Sequence, residues 1–347
     1  MSYVFGCVPT FADGGPAGPM GSCGASGGPT PPSDLTSSGS PTFTQFVTDL
    51  TDHCSPNGNC VKTYIKYYEL WNEANVGASG SHPRWDGTQT RLYQMVAPAV
   101  AVINANVPGA TILTPSITNG AQAQTWMTGW LDAEIAGGVI SDVYNIHYYL
   151  NNQLPENVLS GSANTLHGDL GPNYNTSGWT PLPWVVSETG YDDLTPPYGC
   201  NDGDTGTPYS TPDCVGQMVR WNLLQFSNTA ALGSAPGGMG VWWYYWNSYI
   251  GSQPQFATAY FYMMQYLVGG QFNGTCSSTG TPPVWTCPFI QANGTNSLWV
   301  WTTTEAGTTY VVPSGYIAYR DLTGGTTTVT SGQSITIKVE PILLTTP

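Results

Sequence analysis

The sequence predicts an α/β fold in which parallel strands alternate with crossover helices, followed by a small antiparallel β-sandwich. Strand-like and helix-like segments alternate through about the first three-quarters of the chain, and only short β-patterned runs follow from about residue 288. Strands separated by helices need crossover connections, so the alternating part should contain parallel strands. We therefore expect a (β/α) domain over 1–287 and a β-sandwich over 288–347. One or more strands of the sandwich can come from elsewhere in the chain.

Six segments of the first part have the apolar, β-branched and aromatic composition of strands. They are residues 2–7, 64–72, 111–114, 143–150, 184–187 and 239–246. The segments between them carry apolar residues at helical spacing. They are residues 41–53, 92–103, 125–136, 215–226 and 256–267. Pro98 should kink the second of these helices, because proline lacks the N–H that a helix interior needs.

The last part of the chain has the pattern of short strands with one buried face. Ile335, Ile337 and Val339 alternate with polar residues, and Gly324-Gly325 has the composition of a hairpin turn. The expected strands are residues 298–304, 309–312, 317–322, 326–330 and 334–340.

Composition excludes several classes of partner. The chain has 7 basic residues in 347 and a net charge of −14, which leaves little positive charge to neutralise a phosphate backbone or an anionic membrane. No apolar run is long enough to span a bilayer. Charged residues make up only 8%, against roughly 25% in ordinary soluble domains. A surface built instead from small polar residues is common outside the cell.

The eight cysteines fall as near neighbours along the chain. The simplest pairing is therefore local, although eight cysteines allow about 105 connectivities. The expected pairs are Cys7 with Cys23, Cys54 with Cys60, Cys200 with Cys214, and Cys276 with Cys287. Disulfides predict a secreted protein, although residues 1–3 do not begin a signal peptide, which we expect to have been removed or to lie outside this chain. No C-x-x-C is present and the histidines are scattered, so neither a metal nor a cofactor is expected.

The chemistry is expected at two of the seven glutamates. Glu73 and Glu188 each stand where a predicted strand runs into a loop. In a parallel barrel the active-site residues come from the carboxyl ends of the strands, so both carboxyls should lie at one rim. Glycoside hydrolysis needs such a pair, in which one carboxyl protonates the leaving oxygen and the other attacks the anomeric carbon. The alternative for each is a solvated loop acid.

Four motifs resemble those of clan A glycoside hydrolases, of the family 39 or family 5 type. Trp71-Asn72-Glu73 is similar to the end of the fourth barrel strand, and His147-Tyr148-Tyr149 to the His-x-Tyr of the sixth. Ser187-Glu188-Thr189-Gly190 resembles the seventh strand, and the aromatic segment 242–246 the eighth. The resemblance implies an eight-stranded (β/α) TIM-type barrel of which this chain lacks the first two β/α units, with the strand at residues 2–7 as the third.

The resemblance also implies the roles of the two carboxyls. Glu73 would be the general acid/base, with a pKa raised so that it stays protonated near neutrality. Glu188 would be the ionised nucleophile that forms a covalent glycosyl-enzyme. The clan holds its carboxyls about 5–5.5 Å apart, which predicts retention of configuration.

Four further residues would bind the substrate or support the pair. Asn72 would hydrogen-bond the sugar 2-hydroxyl, Tyr149 would orient Glu188, and Trp246 would stack against the sugar ring. His147 would lie behind these residues, or would simply be a satisfied histidine of the barrel interior. Glu69 has the same strand parity as Glu73 and is expected to be a buried structural acid with a polar partner.

The expected function is hydrolysis of β-O-glycosidic bonds in a poly- or oligosaccharide by a monomeric enzyme. One alternative is a non-catalytic carbohydrate-binding protein that retains a glycosidase-like cleft. Another is a purely structural secreted protein, which would leave the two glutamate motifs unexplained. The sugar and linkage stay open among xylan, glucan and galactan, because loops select the substrate.

Overall fold

The chain divides into two compact units. The first contains Met1–Tyr148 and Gly161–Ser187, and the second contains Tyr149–Ser160 and Glu188–Pro347. The structure is a computed structural model that describes residues 2–6, 43–76, 85, 87–118, 120–149, 154–157, 166–190, 212–227, 238–243 and 254–347.

The first unit alternates strands and helices in chain order. Its strands are β1 (Ser2–Val4), β2 (Tyr67–Glu69), β3 (Thr111–Leu113), β4 (Tyr144–His147) and β5 (Trp184–Thr189), the last of which continues into the second unit. Its helices are α1 (Phe43–Asp52), α2 (Val61–Tyr64), α3 (Gln89–Asn106), α4 (Ala121–Gly137) and α5 (Leu166–Asn175). The predicted α/β alternation is thereby confirmed; β1 to β4 are shorter than the sequence pattern indicated, and β5 is two residues longer.

The strands of this unit are neighbours in the order of the chain. β1, β2 and β3 pair in parallel, with Val4, Glu69 and Leu113 level with one another. Leu113 also forms a parallel bridge to Val143, directly before β4, and β4 lies beside β5 in a sheet. The segments that follow β2 and β3 therefore leave the sheet at the same edge. Within the described residues the strands do not close into a barrel.

Local sequence explains where α3 begins and which face it buries. The Thr88 side chain accepts a hydrogen bond from the Arg91 N–H at 3.1 Å, which caps the first turn. The helix is continuous over 18 residues and includes Pro98. The apolar stripe expected from the sequence is buried, at Leu92, Val96, Val100 and Ile103.

The sequence pattern missed α2 and α5. α5 contains two glycines and Pro172, which disfavour a helix on propensity alone. Leu166 and Leu170 are buried on it. The Asp169 carbonyl accepts a hydrogen bond from Tyr144 Oη at 2.8 Å. Packing of the apolar face therefore outweighs the local preference.

The second unit combines two further helices with a mostly antiparallel β part. It contains a 3-10 turn (Pro155–Asn157), α6 (Pro212–Ser227), β6 (Gly238–Trp243) and α7 (Pro254–Leu267). The remaining strands are β7 (Gln271–Phe272), β8 (Ser277–Thr279), β9 (Val284–Ile290), β10 (Asn296–Thr302), β11 (Thr308–Val311), β12 (Ala318–Arg320), β13 (Thr326–Thr328), β14 (Ser334–Ile337) and β15 (Ile342–Thr345).

The β part of this unit consists of two antiparallel sheets. One has the order β13-β12-β15-β10-β9-β7, with β8 also paired to β9, and the other pairs β11 with β14. Both sheets contribute to one buried apolar cluster, which includes Val300, Ile337 and Leu344. The antiparallel character expected after residue 288 is confirmed. β9 crosses residue 287, so strands from before the expected boundary join the sheet; the domain division itself stays a prediction.

A buried ion pair fixes α6 within the second unit. Arg220 is fully buried, and its Nη1 lies 3.4 Å from Glu156 Oε1. The Trp301 indole N–H donates to the same carboxylate oxygen at 2.8 Å. Removing one partner of such a buried pair typically costs about 3–5 kcal/mol, because the other charge is left unpaired.

Two of the expected disulfides are present, Cys54–Cys60 and Cys276–Cys287. Cys214 is also disulfide-bonded. Cys7, Cys23 and Cys200 lie outside the described residues, so the other two pairings stay predictions. None of the helices in the described ranges has the length and apolar character needed to cross a membrane.

Two buried acids should make stability depend on pH. Burial raises the pKa of Glu134 from 4.5 to about 7, and burial also raises the pKa of Asp169 from 3.8 to about 7. At a pH between the unfolded-state pKa and the folded-state pKa of each acid, the carboxyl stays protonated in the folded chain but is ionised in the unfolded chain. The free energy of unfolding therefore falls as pH rises from about 4.5 to 7, by up to about 3 kcal/mol for Glu134.

A Glu134→Gln substitution tests this prediction, because the amide keeps the shape and stays neutral at every pH. We expect a higher melting temperature than the parent at pH 8 and a similar one at pH 4.5, measured by circular dichroism. The control is Glu305→Gln at an exposed glutamate. A Glu134→Gln shift of equal size at both pH values would contradict the pKa argument.

Candidate active site

Glu73 lies in the loop that follows β2 and has an unusual backbone conformation. Its φ is 48°, and it is the one non-glycine residue with positive φ among the described residues. This conformation costs an L-residue about 1–2 kcal/mol. The Glu73 N–H donates to Ser116 Oγ at 2.8 Å, and the neighbouring Ala74 N–H donates to the Ser116 carbonyl at 3.0 Å. The segment after β3 therefore holds Glu73 in place.

Further hydrogen bonds tie this loop to its neighbours. The Asn75 amide donates to Thr118 Oγ1 and accepts from the Thr118 N–H, both at 2.8 Å. The Asn72 N–H donates to the Phe5 carbonyl at 2.7 Å, which links the loop to the end of β1. Asn72 is partly exposed, as a residue that contacts a ligand must be. The loop is thus fixed on both sides before any substrate binds.

The Glu73 carboxylate contacts His147, the last residue of β4. His147 is 2% exposed, and its Nδ1 lies 3.3 Å from Glu73 Oε1. The other ring nitrogen, Nε2, lies 3.4 Å from Glu69 Oε1. Glu69 is fully buried and its Oε2 accepts from Ser187 Oγ at 2.7 Å. The polar partner expected for Glu69 is therefore the Ser187 hydroxyl, with the His147 imidazole nearby but not hydrogen-bonded to Oε1.

Glu188 belongs to the second unit, where Tyr149 contacts it. Tyr149 Oη donates to Glu188 Oε1 at 2.5 Å. Glu188 is partly exposed, whereas the next residue, Thr189, is buried and its Oγ1 accepts from the Trp221 indole N–H at 3.0 Å. A Cβ on Gly190 would lie only 3.2 Å from the Tyr149 ring, so glycine at this position lets the ring pack close to the backbone.

The sequence-predicted residues are thus distributed over both units. Asn72, Glu73 and His147 belong to the first unit, and Tyr149 and Glu188 belong to the second. Trp246 lies outside the described residues, so its stacking role stays a prediction.

Two hydroxyl residues of this arrangement were missed by sequence reasoning. Ser116 accepts from the Glu73 N–H, and Ser187 donates to Glu69. Ser116 follows the end of β3 and Ser187 lies near the end of β5, each close to positions that were singled out. That placement was the available signal, because polar residues at the carboxyl ends of parallel strands meet at one edge.

The sequence matches no protein-family model and no curated protein. Its fold is nevertheless similar to those of solved glycoside hydrolases. A family 39 glycoside hydrolase from the gut symbiont Bacteroides cellulosilyticus WH2 aligns with a TM-score of 0.54 at 16% identity, over 88% of this chain and 60% of that one. A bifunctional glucanase-xylanase from a metagenome library aligns with a TM-score of 0.54 at 13% identity, over 88% and 68%.

A glucosidase from Croceicoccus marinus aligns with a TM-score of 0.53 at 14% identity, over 92% of this chain and 76% of that one. The chain therefore spans about three-fifths of the first of these structures and more of the other two. At these identities the likeness shows the fold, and the expected resemblance is confirmed at that level: the chain has a fold found in glycoside hydrolases.

Proposed function

We propose that the chain hydrolyses β-O-glycosidic bonds of a poly- or oligosaccharide with retention of configuration, with Glu73 as general acid/base and Glu188 as nucleophile. The observation that carries the proposal is the different surroundings of the two carboxyls. Glu188 accepts a short hydrogen bond from a phenol, which stabilises a carboxylate, whereas Glu73 faces an imidazole nitrogen that can accept a proton or donate one. Similarity of fold to glycoside hydrolases supports the same conclusion.

In the first step the Glu188 carboxylate attacks the anomeric carbon while Glu73 gives its proton to the glycosidic oxygen. The carbon–oxygen bond breaks, the alcohol leaves, and a covalent glycosyl-enzyme forms. In the second step Glu73, now ionised, takes a proton from water as the water oxygen attacks the same carbon. Glu188 leaves as a carboxylate, and two inversions give net retention.

The surrounding residues are assigned to binding and orientation. Asn72 would bind the sugar 2-hydroxyl, and Trp246 would stack against the ring. Tyr149 would hold Glu188 through its 2.5 Å hydrogen bond, and His147 would hold Glu73. We assign the chain to clan A, whose eight-stranded barrel it would share in part.

The cysteine chemistry supports a location outside the cytoplasm. Cys54–Cys60 and Cys276–Cys287 are disulfides, and such bonds persist in oxidising compartments. We propose a secreted monomer that acts on an external polysaccharide without a cofactor.

The test is a panel of aryl β-glycosides together with xylan, β-glucan and galactan. We expect hydrolysis of at least one member, with the β-anomer as the first product in proton NMR spectra recorded during the reaction. The α-anomer as first product would contradict the two-step mechanism. Binding of a polysaccharide without hydrolysis would favour the carbohydrate-binding alternative.

Tyr149→Phe tests the support of the nucleophile. Loss of a hydrogen bond to a charged group should lower kcat by about 10- to 100-fold. Because the Glu188 carboxylate then lacks its phenol donor, the acidic limb of the kcat/KM profile should move to higher pH. Tyr310→Phe, at a partly buried tyrosine of β11, is the matched control. An unchanged acidic limb would contradict the assignment of Tyr149.

A further inference from the structure

The buried carboxylate of Glu69 has two contacts that place it behind the candidate acid/base. It is the last residue of β2 and is fully buried. Its Oε2 accepts from Ser187 Oγ at 2.7 Å, and its Oε1 lies 3.4 Å from His147 Nε2. Oε1 is buried without a hydrogen bond among the described residues, and a buried carboxyl oxygen is costly unless a donor faces it, so a proton on Nε2 would be directed at this oxygen.

The two nitrogens of His147 face two different carboxyls. Nε2 faces Glu69, which has no exposed surface, and Nδ1 lies 3.3 Å from Oε1 of Glu73, whose side chain is 17% exposed. In a neutral imidazole one nitrogen donates and the other accepts, and the partner of the first fixes the role of the second. A proton held on Nε2 by Glu69 therefore leaves Nδ1 as an acceptor.

An acceptor at Nδ1 favours one protonation state of Glu73. The contact between Nδ1 and Glu73 Oε1 is a hydrogen bond only when Glu73 carries the proton. The protonated carboxyl is the form that a general acid needs before the glycosidic bond breaks. The negative charge of Glu69 acts in the same direction, because a nearby like charge disfavours ionisation of Glu73.

We propose that Glu69 is a positioning residue, which fixes His147 in the Nε2–H form so that Nδ1 accepts a hydrogen bond from the protonated Glu73. The inference rests on the proposed role of Glu73 as acid/base. During the reaction Glu73 gives its proton to the leaving oxygen and regains one from water, while the Nε2 proton stays on His147. Glu69 itself touches neither substrate nor reacting atoms.

Glu69→Gln removes the charge and keeps the volume, and its effect should depend on the leaving group. With an alkyl β-glycoside, which needs a proton on its leaving oxygen, kcat/KM should fall by about 10- to 100-fold, as for other residues that orient a functional side chain. With the 2,4-dinitrophenyl β-glycoside of the same sugar, which leaves unprotonated, kcat/KM should change little. The alkaline limb of the alkyl-glycoside profile should move to lower pH.

The matched control is Glu134→Gln, the same substitution at another buried glutamate of the first unit, on α4. It should leave both substrates unaffected. Equal losses of Glu69→Gln on both substrates would indicate a merely structural role and would overturn the inference. A Glu69→Gln variant with the parent's kcat/KM on both substrates would overturn the inference as well.

A second measurement does not depend on activity. Nitrogen-15 NMR of the imidazoles, with the His147 signals identified by their loss in His147→Gln, should show the Nε2–H form in the parent and a loss of that preference in Glu69→Gln. An Nδ1–H form in the parent would overturn the inference. A parent that hydrolyses no substrate would overturn the proposed function and this inference together, whereas an active parent with a parent-like Glu69→Gln variant would overturn only this inference.

Discussion

Glu188→Gln is expected to reduce kcat/KM by on the order of 10⁵-fold, as the removal of a nucleophile does in other enzymes that form covalent intermediates. The amide keeps the shape of the side chain but cannot form the glycosyl-enzyme bond. Tyr149 Oη lies 2.5 Å from Glu188 Oε1 in the parent and can still donate to the amide oxygen, so the site should stay assembled. The measurement is the initial rate on the best substrate of the panel.

The control for this loss is Glu305→Gln at an exposed glutamate, which should retain full activity. The role of the residue is tested further with Glu188→Ala and added azide. Azide should occupy the space of the missing carboxylate and attack the anomeric carbon of a dinitrophenyl β-glycoside, which gives the α-glycosyl azide. Substantial hydrolysis by Glu188→Gln, or no azide product from Glu188→Ala, would argue against Glu188 as nucleophile.

Periodicity predicted the longest helices of the fold and failed for several strands of the second unit. α3 was predictable because its buried stripe of apolar residues extends over several turns. β9 and β15 were missed, since β9 contains Pro288 and β15 is only four residues long. β9 pairs with the next strand, β10, through a short turn, whereas β15 pairs with the other side of β10 across a long sequence separation that no local pattern reports.

The candidate site was predictable where chemistry follows from position along a strand. Glu73 and Glu188 were singled out because each follows an apolar strand. Tyr149 was expected beside Glu188 from the resemblance, whereas the hydroxyl partners of Glu73 and Glu69 were not predictable from the sequence. Ser116 lies 43 positions from Glu73, and Ser187 lies 118 positions from Glu69. A hydroxyl group has no periodicity that identifies its distant partner, so these contacts appear only once the strands are placed.

The backbone of Glu73 provides a means of removing its carboxyl without adding strain. Its φ of 48° lies in the left-handed region, which glycine adopts readily. Glu73→Gly should therefore be tolerated by the loop, while Glu73→Ala would keep the unfavourable conformation. The loop hydrogen bonds to Ser116 involve backbone groups of Glu73 and Ala74, and glycine retains them.

Glu73→Gly is expected to lower kcat/KM for alkyl β-glycosides by about 10²- to 10⁴-fold, the usual contribution of general acid–base catalysis. The loss should be much smaller for the dinitrophenyl β-glycoside, because dinitrophenolate leaves without a proton. With that substrate the glycosyl-enzyme should form quickly and hydrolyse slowly, since no base activates the water. A burst of dinitrophenolate followed by a slow steady state is the expected time course.

Azide distinguishes the role of Glu73 from that of Glu188. In Glu73→Gly it should enter the space left by the acid/base and attack the glycosyl-enzyme on Glu188, which gives the β-glycosyl azide, because two inversions have then occurred. In Glu188→Ala only one inversion occurs and the product is the α-glycosyl azide. Opposite anomers from the two variants would assign each carboxyl independently of the size of its rate loss. The same anomer from both, or equal losses of Glu73→Gly on both leaving groups, would contradict the assignment.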